Sequence, residues 1–323
     1  MPTLLEKEVG PTGYGLMGFT WRPQPVPEPQ YIEAMNTALS LGANFWNGGE
    51  LYGPPEHNSL HILRNYFAKH PEAADKVVLS IKGGLKPGQL VPDGSEENLR
   101  RSVEECLKVL DGTKELDIFE CARLDPKYSV EETIGHLAAM VKEGKFKGIS
   151  LSEVDAETIR RAHKVHPIVA VEVELSLWSP DILENGVAAT CAELGIPVVA
   201  YSPLGRGALT GKITKPSDIP QGDIRHHLPR FQEDAFAANQ KFIDGIVSLA
   251  QRKGMTAAQV ALNWIRTLSN DSNMPTIIPI PGATTNERVT ENLRTLPLFS
   301  AEEMKELDEM IKASKIVGGR YPG

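Results

Sequence analysis

The sequence predicts an α/β protein, a (β/α)8 TIM barrel formed by a single domain over residues 1–323. Short apolar segments alternate with amphipathic helical patterns, and eight such segments can be counted. The predicted strands are residues 13–18 with their loop, Ala43–Trp46, Val77–Lys82, Leu116–Cys121, Phe146–Leu151, Ile168–Val173, Ile196–Tyr201 and Thr276–Ile280. An open, doubly wound sheet would show the same alternation, and the count of eight favours the barrel.

The first predicted strand lies in GYGLMG, residues 13–18, which matches the GxGxxG pattern of dinucleotide-binding folds. That motif has to open a helix, whereas Pro23, Pro25, Pro27 and Pro29 follow it and prevent one. We therefore interpret the segment as a barrel strand and its loop, with glycines that admit a cofactor ring.

Capping residues mark the starts of the predicted helices. The first helix begins near Glu28 and the second near Glu56, where Leu60, Leu63 and Phe67 recur at helical spacing. The N-caps of the next four helices are Ser95, Ser129 in a capping box with Glu132, Asp155, and Ser179 followed by Pro180.

Extra helices are predicted after strands 7 and 8. Residues 205–235 are rich in Gly, Pro and charged residues and show no periodicity, and helical patterns then cover 237–253 and 256–268. A capping box at 300–303 predicts another helix, and residues 317–323 are expected to be extended.

Composition limits the partners that the protein can have. The 34 Lys and Arg residues against 42 Asp and Glu residues give a formal charge of −8, and without a basic run nucleic-acid binding is not expected. No run of eighteen apolar residues occurs, so we expect no membrane segment and a cytoplasmic location, with a nuclear fraction as an open alternative. Cys106, Cys121 and Cys191 lie in apolar elements, as buried thiols in a reducing compartment do. The oligomeric state is left open.

Five motifs follow one another along the chain. They are ANFWNGGELYG (43–53), SIKGG (80–84), GISLSE (148–153), AYSPLGRGALTG (200–211) and IPIPGATTNERVTENL (278–293). In this order they resemble an aldo-keto reductase over nearly the whole chain. With the GLMGFTW start and the ECARLD segment, the chain is most similar to the fungal pyridoxal reductases.

The resemblance implies that Tyr52 is the general acid and that Lys82 tunes it. A free phenol has a pKa of about 10. An ammonium about 4 Å away is worth roughly 4 kcal/mol at an effective dielectric of about 20, enough to lower that pKa by up to about three units. From the residues alone, Tyr52 could instead cap the barrel mouth while Lys82 reaches water.

Two positions of the catalytic group depart from the family pattern. Asn47 stands where the family usually has Asp, so we expect Lys82 to act on Tyr52 with less shielding and to be held less firmly. Glu50 is near enough in sequence to serve as the counter-ion, or else it points to solvent. Ala122 stands where the family usually has His.

The missing imidazole at position 122 means that activity is lost or that another group polarises the substrate carbonyl. Pyridoxal carries a ring hydroxyl beside its aldehyde, and this internal donor is our hypothesis for why Ala122 is tolerated. Trp21, Ala122 and Arg123 are predicted to line the substrate pocket. No metal site is expected, because His57 and His61 lack a third ligand.

A nucleotide site is predicted where Gly282 and Thr284 precede a helix capped by Asn286. Free backbone amides and the positive helix end favour an anion there, and Arg288 in the first turn is unfavourable without one. By resemblance, Thr284 and Arg288 hold the adenosine 2′-phosphate and Asn292 lies near the adenine, which favours NADPH/NADP+ over NADH. A simple capped helix is the alternative.

The glycine-rich turn after the seventh strand is suited to close approach by a pyrophosphate. By resemblance Tyr201 stacks on the nicotinamide, and Ser152 and Glu172 bind its carboxamide, although the family usually has Gln at position 172. The turn residues expected to contact the cofactor are Ser202, Leu204, Gly205 and Gly207.

Together these observations predict an NADPH-dependent enzyme that reduces a small-molecule aldehyde, pyridoxal, to pyridoxine in a reversible reaction. Two alternatives stay open. One is a reductase of other small or aryl aldehydes, and the other is a catalytically weak, cofactor-binding regulatory protein, which the missing Asp and His favour. The physiological direction is not determined by the sequence.

Overall fold

The computed structural model describes residues 1–322 and confirms the (β/α)8 barrel. Its parallel strands are β1 Tyr14–Gly15, β2 Phe45–Gly49, β3 Val78–Gly83, β4 Ile118–Cys121, β5 Gly148–Ser152, β6 Ile168–Glu174, β7 Val198–Tyr201 and β8 Ile277–Pro279. They lie side by side in chain order. A bridge between Gly15 and Gly282, and a hydrogen bond from the Gly13 amide to the Pro279 carbonyl (2.9 Å), join β1 to the β8 segment. This sequential, closing order excludes the doubly wound sheet, whose strand order reverses midway.

The GxGxxG segment is a place of close backbone packing. A β-carbon at Gly13 would lie 2.7 Å from the Phe45 carbonyl oxygen, and one at Gly15 would lie 2.8 Å from the Ile280 carbonyl oxygen. Glycine is required here because β1 has to fit between its two neighbours. Packing alone thus accounts for these two glycines, and their approach to a cofactor ring stays a prediction. A four-residue helix, Met17–Thr20, follows the strand and was not predicted.

Ten helices of eight or more residues surround the strands within residues 1–322. They are α1 Glu28–Ser40, α2 Ser59–Lys69, α3 Glu96–Leu110, α4 Val130–Lys142, α5 Ala156–Val165, α6 Val187–Leu194, α7 Glu233–Arg252, α8 Ala257–Leu268, α9 Asn286–Leu293 and α10 Ala301–Ala313. Ser95, Ser129, Asp155 and Ser300 are N-caps as predicted, and each accepts a hydrogen bond from the amide three residues on. None of the helices in this part of the chain combines the length and apolar character needed to cross a membrane.

Three helix starts differ from the prediction. The start of α2 is set by Asn58 rather than Glu56, because the Asn58 side chain accepts a backbone hydrogen bond. Ser179 does not cap a helix, since Pro180 leads only into a short 3-10 turn before α6. Helix α7 begins at Glu233, four residues before the predicted 237, because its first turn is acidic and the apolar pattern starts later.

The long segment after β7 contains four short 3-10 helices, Gly205–Thr210, Pro216–Asp218, Ile224–His227 and Pro229–Phe231. Helices α7 and α8 then precede β8, and α9 and α10 follow it, which confirms extra helices after strands 7 and 8. Residues 314–322 form neither helix nor strand. Gly323, the end of the predicted extended segment and of the predicted domain, lies outside the described residues.

A hairpin that was not predicted closes the amino-terminal end of the barrel. Thr3–Leu4 pairs antiparallel with Lys7–Glu8. Leu4 and Val9 pack inside the barrel against a cluster formed by Phe45, Val78, Ile118, Ala170, Val199, Ile278 and Ile280. Two-residue strands carry no periodicity, so the sequence pattern could not reveal this plug.

The three cysteines are buried free thiols, as expected. Burial raises the pKa of Cys121 and of Cys191 to about 12 and raises that of Cys106 as well. A protonated thiol is a weak nucleophile, so these side chains serve as apolar core groups.

A buried ion pair lies at the same end of the barrel as the hairpin. Asp117 precedes β4 and accepts hydrogen bonds from Lys114 (2.6 Å), Lys147 (2.9 Å) and the Leu79 amide (2.9 Å). Burial tends to raise the pKa of Asp117, but the two lysines and the amide more than offset this, so its pKa is lowered. Burial lowers the pKa of Lys114, and the pairing only partly offsets that effect.

We expect Asp117→Asn to lower the free energy of unfolding by about 3 kcal/mol near neutral pH, because it leaves Lys114 buried without a counter-charge. Since the folded-state pKa of Asp117 is depressed, this advantage of the parent is complete above the unfolded-state value of about 3.9 and is lost as the pH falls below it. Urea unfolding at a series of pH values measures the difference. Asp308→Asn, on an exposed helix face, is the control, with an expected change within about 0.5 kcal/mol. An equal loss in both variants would contradict the argument.

Candidate active site

Four polar side chains from different strands meet inside the carboxyl end of the barrel. Asn47 lies on β2, Lys82 on β3, Glu120 on β4 and Glu172 on β6, and each is at most 5% exposed. The strand register places Lys82 beside Glu120. Asn47, Lys82 and Glu172 were expected at this site, whereas Glu120 was not.

Lys82 is held by two carboxylates. Its Nζ lies 2.8 Å from Oε1 of Glu120 and is also paired with Oε1 of Glu172. Burial alone would lower the pKa of Lys82, but Glu120, Glu172 and Tyr52 raise it well above its ordinary value. The ammonium is therefore charged and fixed from two sides. This contradicts the expectation of a loosely held, less shielded lysine.

The sequence around Glu120 carries a signal for a buried charge. Glu120 stands inside the apolar strand Ile118–Cys121, and a carboxylate in such a place needs a buried cation or donor. Lys82 is the cation that the neighbouring strand supplies. Ser150, on the neighbouring strand β5, shares its one hydroxyl proton between Oε2 of Glu120 (3.0 Å) and the Ala170 carbonyl (2.9 Å).

Asn47 supports Glu172 rather than Lys82. Its Nδ2 donates to Oε2 of Glu172 at 2.7 Å, while the other oxygen of that carboxylate is paired with Lys82. Burial raises the pKa of Glu172 well above its ordinary value, and the nearby Glu120 raises it further against the opposing effect of Lys82. The contact of Glu172 with a carboxamide stays a prediction.

Tyr52 lies on the loop after β2, and its position is fixed by backbone contacts. Its carbonyl oxygen accepts hydrogen bonds from Thr20 Oγ (2.5 Å) and from the Ser59 amide (3.1 Å). Its ring centroid lies 5.9 Å from that of Trp21, and the residue is 9% exposed.

The electrostatic setting of Tyr52 differs from the one expected. Burial raises the pKa of Tyr52, Lys82 lowers it, and Glu172 and Glu120 raise it, with the net result above the ordinary value. The expected lowering is wrong because burial, the largest effect, raises the pKa of Tyr52, and Glu172 and Glu120 also act against Lys82. Tyr52 therefore keeps its proton at neutral pH.

Glu50 is not the counter-ion of Lys82 and does not point to solvent. Its carboxylate binds Arg101 (2.6 Å) and Ser102 (2.5 Å) on α3. The Glu50–Arg101 pair lines an open cavity of about 810 Å³, and Trp21 also lines it. This volume is in the range of small-molecule sites. His227, from the segment after β7, also borders the cavity.

The structure separates the predicted substrate-pocket residues. Trp21 borders the cavity, whereas Ala122 is buried and its amide donates to the Gly83 carbonyl at 2.9 Å. Arg123 is turned toward the end of the described chain, where its guanidinium lies 5.5 Å from the Tyr321 ring centroid. Only Trp21 of the three is thus among the residues that line this cavity.

The segment 314–322 covers the end of β7. The Tyr321 hydroxyl lies 2.6 Å from that of Tyr201, and the Arg206 guanidinium lies 5.0 Å from the Tyr321 ring centroid. Arg320 binds Glu153 at 2.8 Å and anchors the segment. The predicted extended segment is therefore packed against Tyr201.

The turn after β7 is tight for structural reasons. Ser202, Gly205 and Gly207 have positive φ values of 49°, 56° and 97°, and the amides of Gly205 and Gly207 donate to the carbonyls of Ser202 and Leu204 (2.9 and 3.0 Å). A β-carbon at Gly205 would lie 2.8 Å from the Trp178 ring. Packing alone thus accounts for this glycine, and contact of the turn with a pyrophosphate stays a prediction.

Helix α9 is capped by Thr285 rather than Asn286. The Thr285 hydroxyl accepts the Arg288 amide, and Asn286 instead bonds Thr37 and Glu33 on α1. The Arg288 side chain is exposed, and within residues 1–322 no carboxylate lies within 4.0 Å of it. A cationic side chain in the first turn of a helix, without a counter-ion, fits an anionic ligand.

The other residues predicted at this helix differ in exposure. Gly282 is exposed and follows β8, Thr284 is half-buried and its carbonyl accepts from Gln30 (2.7 Å), and Asn292 is 8% exposed. Gly282, Thr284 and Arg288 therefore lie on one short stretch that leads into the helix.

Comparison with known proteins decides the family. The aldo/keto reductase family matches residues 11–312. This chain belongs to that family. It is 43% identical to "Probable pyridoxal reductase 2" of Schizosaccharomyces pombe, over 99% of this chain and 97% of that protein. It is 38% identical to a Saccharomyces cerevisiae protein provisionally named a pyridoxal reductase, over 96% and 95% of the two chains.

Solved structures agree on the architecture of this aldo/keto reductase. A glycerol dehydrogenase from Gluconobacter oxydans superimposes with a TM-score of 0.80 over 95% of this chain and 92% of that chain, at 21% identity. A thermostable aldo-keto reductase in complex with the inhibitor epalrestat gives a TM-score of 0.71 at 23% identity, over 96% and 98% of the two chains. These two structures support the fold. As a member of the aldo/keto reductase family, the protein is an oxidoreductase of a family that generally uses NAD(P)H.

The residues of this aldo/keto reductase fit a nicotinamide cofactor. Ser152, at the end of β5, is 2% exposed, and its Oγ is buried without a hydrogen-bond partner in residues 1–322. An unsatisfied buried hydroxyl costs about 1–3 kcal/mol, and an amide group bound beside it would satisfy it. Ser152 lies next to Glu172 in the strand register. The site thus has an orphan polar group at one end and the unpaired Arg288 at the other.

Proposed function

We propose that this aldo/keto reductase reduces pyridoxal to pyridoxine with NADPH, in a reversible reaction. The observation that carries the proposal is the buried phenol of Tyr52 at the carboxyl end of the barrel, close enough to Lys82, Glu172 and Glu120 for their charges to act on its pKa. Its loop neighbours Leu51 and Gly53 border the open cavity, whereas Tyr52 and Lys82 are not among the residues that line it. The two fungal relatives named as pyridoxal reductases, similar over nearly their full length, support the choice of substrate.

Reduction of an aldehyde leaves an alkoxide oxygen that needs a proton. NADPH supplies the hydride when it is bound. Tyr52 is in its acid form because its pKa is raised, and the Lys82 ammonium stabilises negative charge as it develops nearby. The phenol O–H bond breaks and the proton goes to the alkoxide oxygen, which is more basic than a phenolate. Solvent then returns a proton to Tyr52.

The absence of an imidazole at Ala122 points to a substrate with its own donor. The ring hydroxyl of pyridoxal lies beside the aldehyde and hydrogen-bonds its oxygen, which polarises the carbonyl without help from the protein. We infer that this internal hydrogen bond replaces the missing histidine.

The cofactor would be held at two ends of the barrel mouth. Arg288 and Thr284 would bind the adenosine 2′-phosphate at the start of α9, and Asn292 would lie near the adenine. Ser152 would bind the carboxamide with its free hydroxyl. The exposed, unpaired Arg288 supports NADPH over NADH.

Tyr52→Phe is expected to lower kcat for pyridoxal reduction at least about 100-fold, because the proton donor is removed. NADPH should still bind, which quenching of protein fluorescence measures. Tyr66→Phe is the control, because its hydroxyl bonds Asn36 between outer helices and should not affect turnover. Full activity in Tyr52→Phe would refute the proposed acid.

A substrate comparison tests the internal donor. Pyridoxal methylated on its ring hydroxyl should be reduced at least about tenfold more slowly than pyridoxal, since about 1.4 kcal/mol of carbonyl polarisation is lost. Ala122→His should fail to raise the rate of pyridoxal reduction. It should raise the rate of reduction of simple benzaldehydes, which lack the ring hydroxyl. Steady-state rates with NADPH measure all of these, and equal rates for the two pyridoxal forms would remove the argument.

Arg288→Ala is expected to raise KM for NADPH about tenfold and to leave KM for NADH nearly unchanged, because only NADPH has the 2′-phosphate. Arg294→Ala, an exposed arginine at the other end of the same helix, is the control. If both cofactors weaken equally in Arg288→Ala, the assigned contact is wrong.

A further inference from the structure

The family resemblance predicts an acidic partner for Lys82 on β2, at position 47. In the structure its acidic partners come from β4 and β6 instead. Glu120 reaches Lys82 from β4 at 2.8 Å, and Glu172 reaches it from β6. Position 47 on β2, where the family usually has an acid, contributes an amide that donates to Glu172 instead.

We propose that Glu120 is the positioning residue that replaces, from β4, the carboxylate absent at position 47. This inference rests on the proposed role of Lys82 beside Tyr52. Glu120 does not contact the reacting atoms; it acts by holding the ammonium.

The surroundings of Glu120 fit a permanent structural counter-ion. It is fully buried, and both oxygens are engaged, one by Lys82 and the other by the Ser150 hydroxyl at 3.0 Å. Glu172 is different, because it lies beside Ser152, whose free hydroxyl fits the cofactor. If Glu172 contacted a bound cofactor, its carboxyl group would be drawn away from Lys82. Glu120 would remain paired with Lys82.

Glu120 also has an electrostatic effect that a purely packing residue would lack. The ionisable groups that act most strongly on the pKa of Tyr52 are Lys82 on β3, Glu172 on β6, Glu120 on β4 and Tyr321 in the final segment. Glu120 raises the pKa of Tyr52, so removing its charge should lower that pKa. Reduction needs the protonated phenol, and the basic limb of the pH–kcat profile should then move to lower pH.

The test compares Glu120→Gln with the double variant Asn47→Asp/Glu120→Gln, which returns a carboxylate to β2. In Glu120→Gln we expect kcat for pyridoxal to fall at least about tenfold with KM little changed. The basic limb of the pH–kcat profile should move to lower pH by about one pH unit. The double variant should recover most of kcat and return the limb toward its parent position.

An unmoved limb in Glu120→Gln, or no recovery in the double variant, would overturn the proposal. If Glu120→Gln does not fold, Asn47→Asp alone carries the test: a third carboxylate should move the limb to higher pH, and an unchanged limb again overturns the idea.

Crystal structures of the variants would show the position of the Lys82 ammonium independently of activity measurements. In Glu120→Gln it should shift toward Glu172, and in the double variant toward β2. If Tyr52→Phe proved active while Lys82 moved in this way, the proposed function would fail and the positioning role of Glu120 would stand. If the ammonium stayed in place and Tyr52→Phe were inactive, the positioning role would fail and the proposed function would stand.

Discussion

The ammonium of Lys82 can lie inside the barrel because two carboxylates reach it there. A buried unpaired charge is costly, so Lys82, Glu120 and Glu172 need one another to be buried at all. Closure of the barrel brings β3, β4 and β6 together and makes this possible. The position and the charge state of the Lys82 cluster therefore depend on the complete sheet, and the setting of Tyr52 depends on the cluster.

Closure depends in turn on the first and last strands. Gly13 and Gly15 let β1 approach its neighbours closely enough to bond the segment around Pro279 and Gly282. The two ends of the barrel then have different tasks. The amino-terminal end is filled by the hairpin and by the Asp117 ion pair, which stabilise the fold. The carboxyl end holds Tyr52 and the Lys82 cluster, the candidate catalytic groups.

The departures from the family pattern are better described as a redistribution than as a loss. The acid expected at position 47 is absent, but the cluster holds two carboxylates from other strands, and Asn47 orients one of them. Burial, together with the effects of Glu172 and Glu120, raises the pKa of Tyr52 and keeps its proton in place. The histidine missing at position 122 has no comparable replacement among the contacts of residues 1–322. This favours a substrate that carries its own hydrogen-bond donor.

The sequence by itself determined the barrel, most helix caps and the candidates Tyr52, Lys82 and Arg288, because periodicity, capping and motif order are local properties of the chain. It did not reveal the hairpin, whose strands are too short to show a pattern. Only the tertiary structure decided that Glu120 binds Lys82, that Glu50 binds Arg101 and that Tyr321 packs on Tyr201. These pairs join residues 38, 51 and 120 positions apart. The partner of a charge buried in a barrel is chosen by which strands become neighbours, and no local pattern contains that information.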